Sequence, residues 1–266
     1  MSESPLHVHV FGPPTGAPTV MLHGIQGHGG RWRRFAAEQL PEARVYAPDL
    51  RGHGRSTWRR PWTLERHAAD VTALLDGLPA GPVDLVGHSF GAAVALHVAN
   101  AVPDRLRALV LLDPAIGLPA ATATRETGPA PSFADPDEAR AVRAASWPDA
   151  TPGAVDDEVD DHLVQGDDGR WRWRFAPEAV AAARAEMVRP HVTPPAGLRT
   201  LLVVAGRADL VRPGFLADCR ARSGGHLEET VLDCGHMVYV ERPAELGALL
   251  RRFLRAGGGP SEAAAG

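Results

Sequence analysis

The stretch Leu85-Val-Gly-His-Ser-Phe-Gly-Ala-Ala93 places a serine between two glycines, in the pattern Gly87-x-Ser89-x-Gly91. An apolar run over residues 83–86 precedes the pattern and predicts a strand, and the apolar residues of 92–99 predict a helix after it. A serine on a sharp strand-to-helix turn needs small neighbours, because the strained backbone passes close to other atoms. The pattern alone is weakly specific, but in this context it predicts Ser89 as a nucleophile.

Apolar runs alternate with amphipathic helical segments along most of the chain. The predicted strands are residues 6–11, 19–23, 44–48, 83–86, 108–113, 200–205 and 227–232. The first of them alternates apolar and polar residues before a Gly-Pro-Pro turn, which is typical of an edge strand. A final helix is expected over residues 243–254. This alternation predicts an α/β fold, with a mostly parallel sheet that carries helices on both faces.

The alternation stops between residues 114 and 197, where the chain is rich in Ala, Pro, Asp and Arg and shows helical patterns without a convincing strand. We therefore expect a core formed by residues 1–113 and 198–256, with an inserted helical cap over 114–197. The acidic run 156–161 within the insertion is interpreted as a solvated surface. Residues 257–266 have no large apolar side chain and are predicted to be a disordered tail.

Composition limits the classes of partner. The chain has 266 residues and a formal net charge of -4, without a long block of like charges, so neither nucleic acid nor an anionic membrane surface is indicated. A small-molecule substrate remains. Cys219 and Cys234 form neither a disulfide framework nor a zinc-site spacing. Without a membrane-length apolar run or a signal-peptide pattern, a cytoplasmic protein is expected, and the sequence makes no prediction of its oligomeric state.

Two further strand ends carry the partners that a nucleophilic serine needs. A serine hydroxyl reacts when an imidazole takes its proton and a carboxylate orients that imidazole. Asp209, in Gly206-Arg-Ala-Asp209, and His236, in Cys234-Gly-His236, each follow a predicted strand downstream of Ser89. Active sites of open α/β sheets lie at the carboxyl ends of the strands, which favours Asp209 as the carboxylate. Asp113 also ends a strand and stays open as the alternative.

Five motifs occur in a consistent order: His23-Gly24, Asp49-Leu-Arg-Gly-His-Gly-Arg-Ser56, Gly87-His-Ser-Phe-Gly91, Gly206-Arg-Ala-Asp209 and Gly235-His236. Together they resemble the cap-bearing serine hydrolases of the α/β-hydrolase fold, of the esterase or lipase type, over nearly the whole chain. The resemblance implies a triad of Ser89, Asp209 and His236. It also implies an oxyanion hole from the backbone N–H groups of Ile25 and Phe90. The start of a helix, where Phe90 lies, favours negative charge.

Aromatic and apolar side chains of the insertion and the core are candidate walls of a substrate pocket, and the alternative for the aromatic ones is that they only pack the cap onto the core. The candidates are Trp32, His88, Trp147, Trp171, Trp173, Met237 and Val238. Histidines also crowd the loops near the predicted site, at positions 23, 28, 53 and 88. Their spacing fits no helical pair of metal ligands, so we predict no metal, and no motif indicates a cofactor.

The leading hypothesis is a serine hydrolase that cleaves a carboxylic ester through an acyl-enzyme. In the family that the sequence resembles, the same triad also serves carbon–carbon bond hydrolases of ring-cleavage products, lactonases and cofactor-free perhydrolases. A carboxylate-bearing ring-cleavage product would need a cation in the pocket, for which Arg172 and Arg174 are candidates. Dehalogenase and epoxide-hydrolase relatives need an aspartate in place of Ser89 and are excluded. A hypothesis of another class is a ligand-sensing protein that keeps the fold and turns over its ligand slowly.

Overall fold

In the computed structural model, residues 6–123 and 131–256 are described. Their strands are β1 (Val8–Phe11), β2 (Ala17–Leu22), β3 (Ala43–Pro48), β4 (Val83–His88), β5 (Leu106–Leu112), β6 (Ser132–Phe133), β7 (Leu163–Gln165), β8 (Trp171–Trp173), β9 (Thr200–Ala205) and β10 (Leu227–Leu232). Their α-helices are α1 (Trp32–Gln39), α2 (Leu64–Asp76), α3 (Phe90–Ala101), α4 (Pro136–Ser146), α5 (Ala154–His162), α6 (Pro177–Met187), α7 (Pro213–Arg222), α8 (Val238–Glu241) and α9 (Pro243–Arg255).

A seven-stranded sheet with the strand order β1-β3-β2-β4-β5-β9-β10 forms the centre of the molecule. Strand β1 is antiparallel to β3, and every other neighbouring pair is parallel. The predicted α/β fold is therefore confirmed, and β1 lies at the sheet edge, as its alternating pattern predicts. Because the other strands run the same way, their carboxyl ends meet at one edge of the sheet, where open α/β sheets bind ligands.

Strand β4 is buried along its whole length because helices cover both faces of the sheet. Leu85 packs into an apolar cluster with residues of α2 and α3, whereas Val86 packs on the other face with residues of α1 and α9. Burying one such side chain contributes roughly 1.5–3 kcal/mol. This two-sided burial explains why the sequence before Ser89 is a continuous apolar run instead of an alternating one.

Residues 114–197, between β5 and β9, are called the cap segment below. Besides the helices α4, α5 and α6 it contains a small antiparallel sheet with the strand order β6-β8-β7. The expectation of a helical segment without strands is therefore wrong in part. Each of these strands has only two or three residues, which is too short for an alternating pattern to show in the sequence. An apolar cluster of its own, including Phe133, Trp173 and Phe175, holds the cap segment together.

The remaining composition-based expectations concern the membrane, the thiols and the tail. Over the described ranges, none of the helices combines the length and the apolar character that crossing a bilayer requires. Cys219 and Cys234 are both buried free thiols. The predicted tail, 257–266, lies outside the described residues.

The contact between α3 and β2 predicts a stability effect at Gly91. A Cβ added at Gly91 would lie 2.5 Å from the His23 carbonyl oxygen and 2.6 Å from that of Leu22. We expect Gly91→Ala to lower the free energy of unfolding by about 2 kcal/mol, because overpacking against a strand backbone forces the elements apart. Urea denaturation followed by circular dichroism measures this change.

The matched control is Gly214→Ala in α7, where an added Cβ meets no atom of the described residues within 4 Å. This change should alter the free energy of unfolding by less than about 1 kcal/mol, since only helix propensity is affected. Equal effects of the two substitutions would contradict the proposed steric constraint.

Candidate active site

Ser89 lies on the turn between β4 and α3 with φ 56° and ψ -121°. Residues with a side chain rarely adopt this region, and such strain concentrates at functional sites. The turn can close because both flanking positions are glycine. A Cβ added at Gly87 would lie 2.4 Å from the Gly91 carbonyl oxygen. The Gly-x-Ser-x-Gly pattern therefore reflects close backbone packing, which presents the Ser89 hydroxyl at the carboxyl end of β4.

A chain of hydrogen bonds connects Ser89, His236 and Asp113. The distance from His236 Nε2 to Ser89 Oγ is 2.9 Å, and that from His236 Nδ1 to Asp113 Oδ2 is 2.6 Å. The carboxylate accepts from Nδ1–H, which leaves Nε2 as the acceptor for the serine hydroxyl. This is the geometry of a nucleophile, a general base and the carboxylate that orients the base.

The prediction that Asp209 is the carboxylate partner of His236 is wrong. Asp113 follows β5, is fully buried, and also accepts a hydrogen bond from the Ala205 N–H at 3.1 Å. Asp209 lies beyond the end of β9, with a side chain that is 96% exposed and paired with Arg212. Both aspartates follow neighbouring parallel strands, so their order in the sequence does not reveal which carboxylate faces His236. The alternative left open, Asp113, is the one that the structure brings to the histidine.

Two side chains that the sequence did not assign to this role fix the backbone around His236. The Glu241 carboxylate accepts the N–H of Gly235 at 2.6 Å and that of Met237 at 3.3 Å. His88 Nε2–H donates to the His236 carbonyl oxygen at 2.8 Å. Burial, followed by the charge of His236, holds the pKa of His88 well below its usual value, so His88 is neutral. Glu241 and His88 thus hold the loop that presents the candidate base.

The glycine-rich loop after β2 lies directly against the serine. A Cβ added at Gly24 would lie 3.0 Å from Ser89 Cβ. Ile25 is the next residue, and Phe90 is the first residue of α3, where a backbone N–H has no partner within its own helix. No backbone carbonyl of the described residues accepts a hydrogen bond from Ile25 or Phe90. Both remain the predicted donors of an oxyanion hole.

Buried, neutral histidines hold this loop in place. His23 Nε2 accepts the Leu50 N–H at 2.8 Å, and His53 Nε2 accepts the Gln26 N–H at 3.2 Å. Burial lowers the pKa of His53 to about 4 and that of His23 well below its usual value. An imidazole accepts a hydrogen bond only when one nitrogen is unprotonated, so the lowered pKa values match the acceptor role.

A cavity of about 410 Å³ lies between the core and the cap segment, next to Ser89 and His236. Three of the predicted pocket residues line it: His88, Trp147 and Met237. Ile25, the predicted oxyanion donor, lines it as well. The cap segment contributes the further lining residues Leu118, Arg143, Arg184 and Met187. The volume lies in the range typical of small-molecule sites.

The other four predicted pocket residues do not line this cavity, and their assignment to it is wrong. Trp32 is fully buried in the core and stacks on Tyr239 with ring centroids 4.0 Å apart. Val238 is buried in the same apolar cluster. Trp171 and Trp173 pack with the apolar cluster of the cap segment. Large apolar side chains occur both in cores and in pocket walls, so residue type alone did not show which of these two roles each residue has.

One group of possible metal ligands occurs among the described residues. Ligand atoms of His7, His9 and Asp49 lie within 4.8 Å of one another. Asp49 Oδ1 already accepts the Gly29 N–H at 2.7 Å and lies 3.2 Å from His9 Nε2, while Oδ2 accepts the Arg55 N–H. These bonds tie the loops after β2 and β3 together and account for the cluster without an ion.

Comparison with known proteins identifies the family of this chain. A sequence model of the alpha/beta hydrolase family matches residues 19–249. Lipase LipV of Mycobacterium tuberculosis is 44% identical over 256 residues, which cover 94% of this chain and 97% of that protein. The chain belongs to the alpha/beta hydrolase family. The resemblance inferred from the five motifs is therefore confirmed.

One further relative and one solved structure resemble this alpha/beta hydrolase over most of their lengths. The 2-hydroxymuconate semialdehyde hydrolase of a Pseudomonas species is 30% identical over 257 residues, which cover 90% of this chain and 87% of that protein. The crystal structure of E-2-(acetamidomethylene)succinate hydrolase superposes with a TM-score of 0.80 at 22% identity, over 94% of this chain and 95% of that chain. The structural match shows that the fold is shared.

A buried ion cluster joins the cap segment of this hydrolase to its core. Glu158, on α5, is only 1% exposed and accepts two hydrogen bonds from Arg31, at 2.6 Å from Nε and 2.5 Å from Nη2. His28 Nε2 lies 3.1 Å and Arg143 Nη2 3.3 Å from the same carboxylate. The expectation that the acidic run 156–161 forms only a solvated surface is wrong at Glu158. Helical periodicity turns this one carboxylate inward beside the buried Val159.

The ion cluster predicts a pH-dependent stability effect. Burial alone would raise the pKa of Glu158, but Arg31 and His28 hold it well below its ordinary value of 4.5. We expect Glu158→Gln to lower the free energy of unfolding by about 3 kcal/mol at pH 7, because it leaves buried cations without their carboxylate. Urea denaturation at several pH values measures the difference between the two proteins.

The sign of the pH dependence follows from the lowered pKa. The stabilisation by Glu158 is complete above pH 4.5 and is lost as the pH falls through the folded-state pKa, so the difference between wild type and variant should shrink on acidification. Glu38→Gln, which removes an exposed partner of Arg34, is the control and should change stability by less than about 1 kcal/mol. A difference that grows at acid pH would contradict the assignment.

Proposed function

We propose that this alpha/beta hydrolase cleaves carboxylic esters through an acyl-enzyme formed on Ser89. The hydrogen-bonded chain from Ser89 through His236 to Asp113, at the edge of the cavity, carries the proposal. The nucleophile, the base and the carboxylate follow three different strands of one sheet, β4, β10 and β5. The rigid sheet therefore holds the three groups in register before substrate arrives, which lowers the entropic cost of reaching the transition state.

In the first half-reaction, His236 Nε2 takes the proton of the Ser89 hydroxyl as Oγ attacks the ester carbonyl carbon. Asp113 accepts from Nδ1–H and stabilises the imidazolium that forms. The N–H groups of Ile25 and Phe90 donate to the carbonyl oxygen as it becomes negative, an interaction typically worth about 3 kcal/mol for one donor. The imidazolium then protonates the leaving alcohol, and the acyl group stays on Ser89.

In the second half-reaction, a water molecule replaces the alcohol. His236 removes one proton from the water, whose oxygen attacks the acyl carbonyl carbon, and the same two N–H groups stabilise the second oxyanion. Collapse of this intermediate breaks the bond to Ser89 Oγ, which regains its proton from His236. The products are a carboxylic acid and the free enzyme. We further propose that the cap segment excludes bulk water from the cavity during these steps.

Among the reactions open to this triad, ester hydrolysis is favoured. The relative that is 44% identical over nearly its whole length is named a lipase, so the same chemistry is the simplest assignment for this chain. Carbon–carbon bond cleavage, lactone hydrolysis and peracid formation stay outside the proposal, as does a sensor role. Of the arginines considered for a carboxylate-bearing substrate, neither Arg172 nor Arg174 lines the cavity, and Arg172 pairs with Asp168; the arginines that do line it are Arg31, Arg143 and Arg184.

Replacement of the nucleophile tests the function. We expect wild type to hydrolyse p-nitrophenyl butyrate over many turnovers and Ser89→Ala to lose at least about 10⁴-fold in kcat, since the other groups cannot replace the attacking oxygen. Release of p-nitrophenolate measures both rates. Ser223→Ala, a change at the end of α7, is the control and should retain wild-type activity. Full activity of the Ser89 variant, or wild-type turnover limited to a single event, would refute the proposal.

The choice between the two aspartates yields a separate prediction. Asp113→Asn should lower kcat about 10⁴-fold, because an amide donates to Nδ1 and forces the wrong tautomer on His236. Asp209→Asn should leave kcat within about twofold, since it changes only an exposed ion pair. Both values come from the same p-nitrophenyl ester assay. The reverse order of effects would restore Asp209 as the functional carboxylate.

A further inference from the structure

Three arginines border the cavity beside Ser89. Arg31, Arg143 and Arg184 line it, and no Asp or Glu is found among the described residues that do so. A neutral ester needs no such environment, because its alkyl and acyl groups gain most from apolar walls. The arginines come from different parts of the chain: Arg31 precedes α1, Arg143 lies on α4 and Arg184 on α6. Tertiary folding alone brings them to one cavity.

Two arginines share the Glu158 carboxylate, which fully compensates the charge of only one of them. Its two oxygens accept the paired hydrogen bonds of Arg31, the strongest arrangement between a carboxylate and a guanidinium. Arg143 approaches one of these oxygens at 3.3 Å with a single nitrogen. One buried carboxylate therefore faces two guanidinium groups, and its interaction with Arg143 is the weaker of the two.

Arg143 packs against two aromatic rings and is largely shielded from water. Its guanidinium carbon lies 4.8 Å from the ring centroid of Trp147 and 4.4 Å from that of Trp173, and the side chain is 13% exposed. Its Nε–H is buried, without a hydrogen-bond partner in the part of the chain that the structure describes, and is therefore not itself open to a ligand. Burial lowers the pKa of Arg143 to about 10, with Glu158 opposing and Arg31 adding to the shift. At neutral pH the group is still a cation.

A cavity-lining cation that shares one buried carboxylate with a second guanidinium gains from a further anionic partner. We infer that the ester substrate carries a free carboxylate, which Arg143 binds in the cavity while Ser89 attacks the ester carbonyl. The inference rests on the proposed function and narrows its substrate to a monoester of a short dicarboxylic acid. A carboxylate matches the planar donor edge of a guanidinium, and a cavity of about 410 Å³ has room for an acyl chain of a few carbons.

Arg143 also has a purely structural explanation, as the contact that packs α4 against the two tryptophan rings and Glu158. The two explanations differ in what they predict for substrate charge. A packing role affects all esters alike, because loss of packing disturbs the whole cavity. A carboxylate-binding role acts on the anionic ester alone. The ratio of kcat/KM for matched anionic and neutral esters therefore separates the two.

The experiment compares mono-p-nitrophenyl glutarate with p-nitrophenyl pentanoate, which has the same number of acyl carbons and no charge. We expect wild type to prefer the glutarate ester, and Arg143→Met to lower the ratio of kcat/KM values at least about tenfold, mainly through KM, since a charge-assisted hydrogen bond is lost. Arg143→Lys keeps the cation without the fork and should retain part of the preference. Arg140→Met, on the same helix but paired with Asp137 and Asp156, should keep the wild-type ratio.

Thermal unfolding of each variant identifies loss of folding, in which case Arg143→Lys carries the comparison. An equal loss of kcat/KM for both esters in the folded Arg143 variants, or no preference for the glutarate ester in wild type, would overturn the inference. Both outcomes leave Ser89-dependent hydrolysis of the pentanoate ester intact, so the proposed function would survive them.

A binding measurement tests the carboxylate site independently of ester hydrolysis. In Ser89→Ala, calorimetry should show that monomethyl glutarate binds at least about tenfold more tightly than methyl pentanoate, and that adding Arg143→Met removes the difference. Carboxylate-dependent binding without turnover of any ester by wild type would support the anion site and refute the ester hydrolase. Equal binding of the two methyl esters would refute the anion site.

Discussion

The close backbone approach at the turn between β4 and α3 is the constraint on which the rest of the site depends. Gly87, Ser89 and Gly91 fit there only because the two glycines have no side chain to meet the neighbouring carbonyl groups. The strained conformation of Ser89 is tolerated because β4 is buried on both faces and α3 packs on β2. Packing of the sheet thus stabilises the strained backbone conformation. The turn then presents the serine hydroxyl toward His236.

Electrostatic interactions fix the residues that surround Ser89 and His236. The loops around Ser89 are held by imidazoles that burial keeps neutral, so each can serve as a fixed donor or acceptor without adding charge. A cluster of charged groups, Arg31, Arg143 and Glu158, lies between the core and the cap segment. Because this cluster also borders the cavity, the contacts that dock the cap segment set the charge that a substrate meets.

Much of this arrangement could be predicted from the sequence, and the failures have physical causes. The fold, Ser89 and His236 depend on local patterns: apolar runs, a glycine-flanked serine and a histidine after a strand. The carboxylate depends on which of two neighbouring strand ends points inward, and Asp113 and Asp209 have equivalent sequence contexts. The buried position of Glu158 could not be predicted, because its run contains five acidic residues and only helical periodicity together with packing determines which of them is buried.

The sequence by itself determined the order of the elements, because hydrophobic periodicity and glycine positions act through neighbours along the chain. It also determined that a serine and a histidine would meet, since parallel strands bring their carboxyl ends to one edge. Only the tertiary structure decided which aspartate supports the histidine, which tryptophans wall the cavity, and which arginines border it. These contacts join residues far apart in the chain, and their formation depends on the distance and direction of side chains, which no local pattern records.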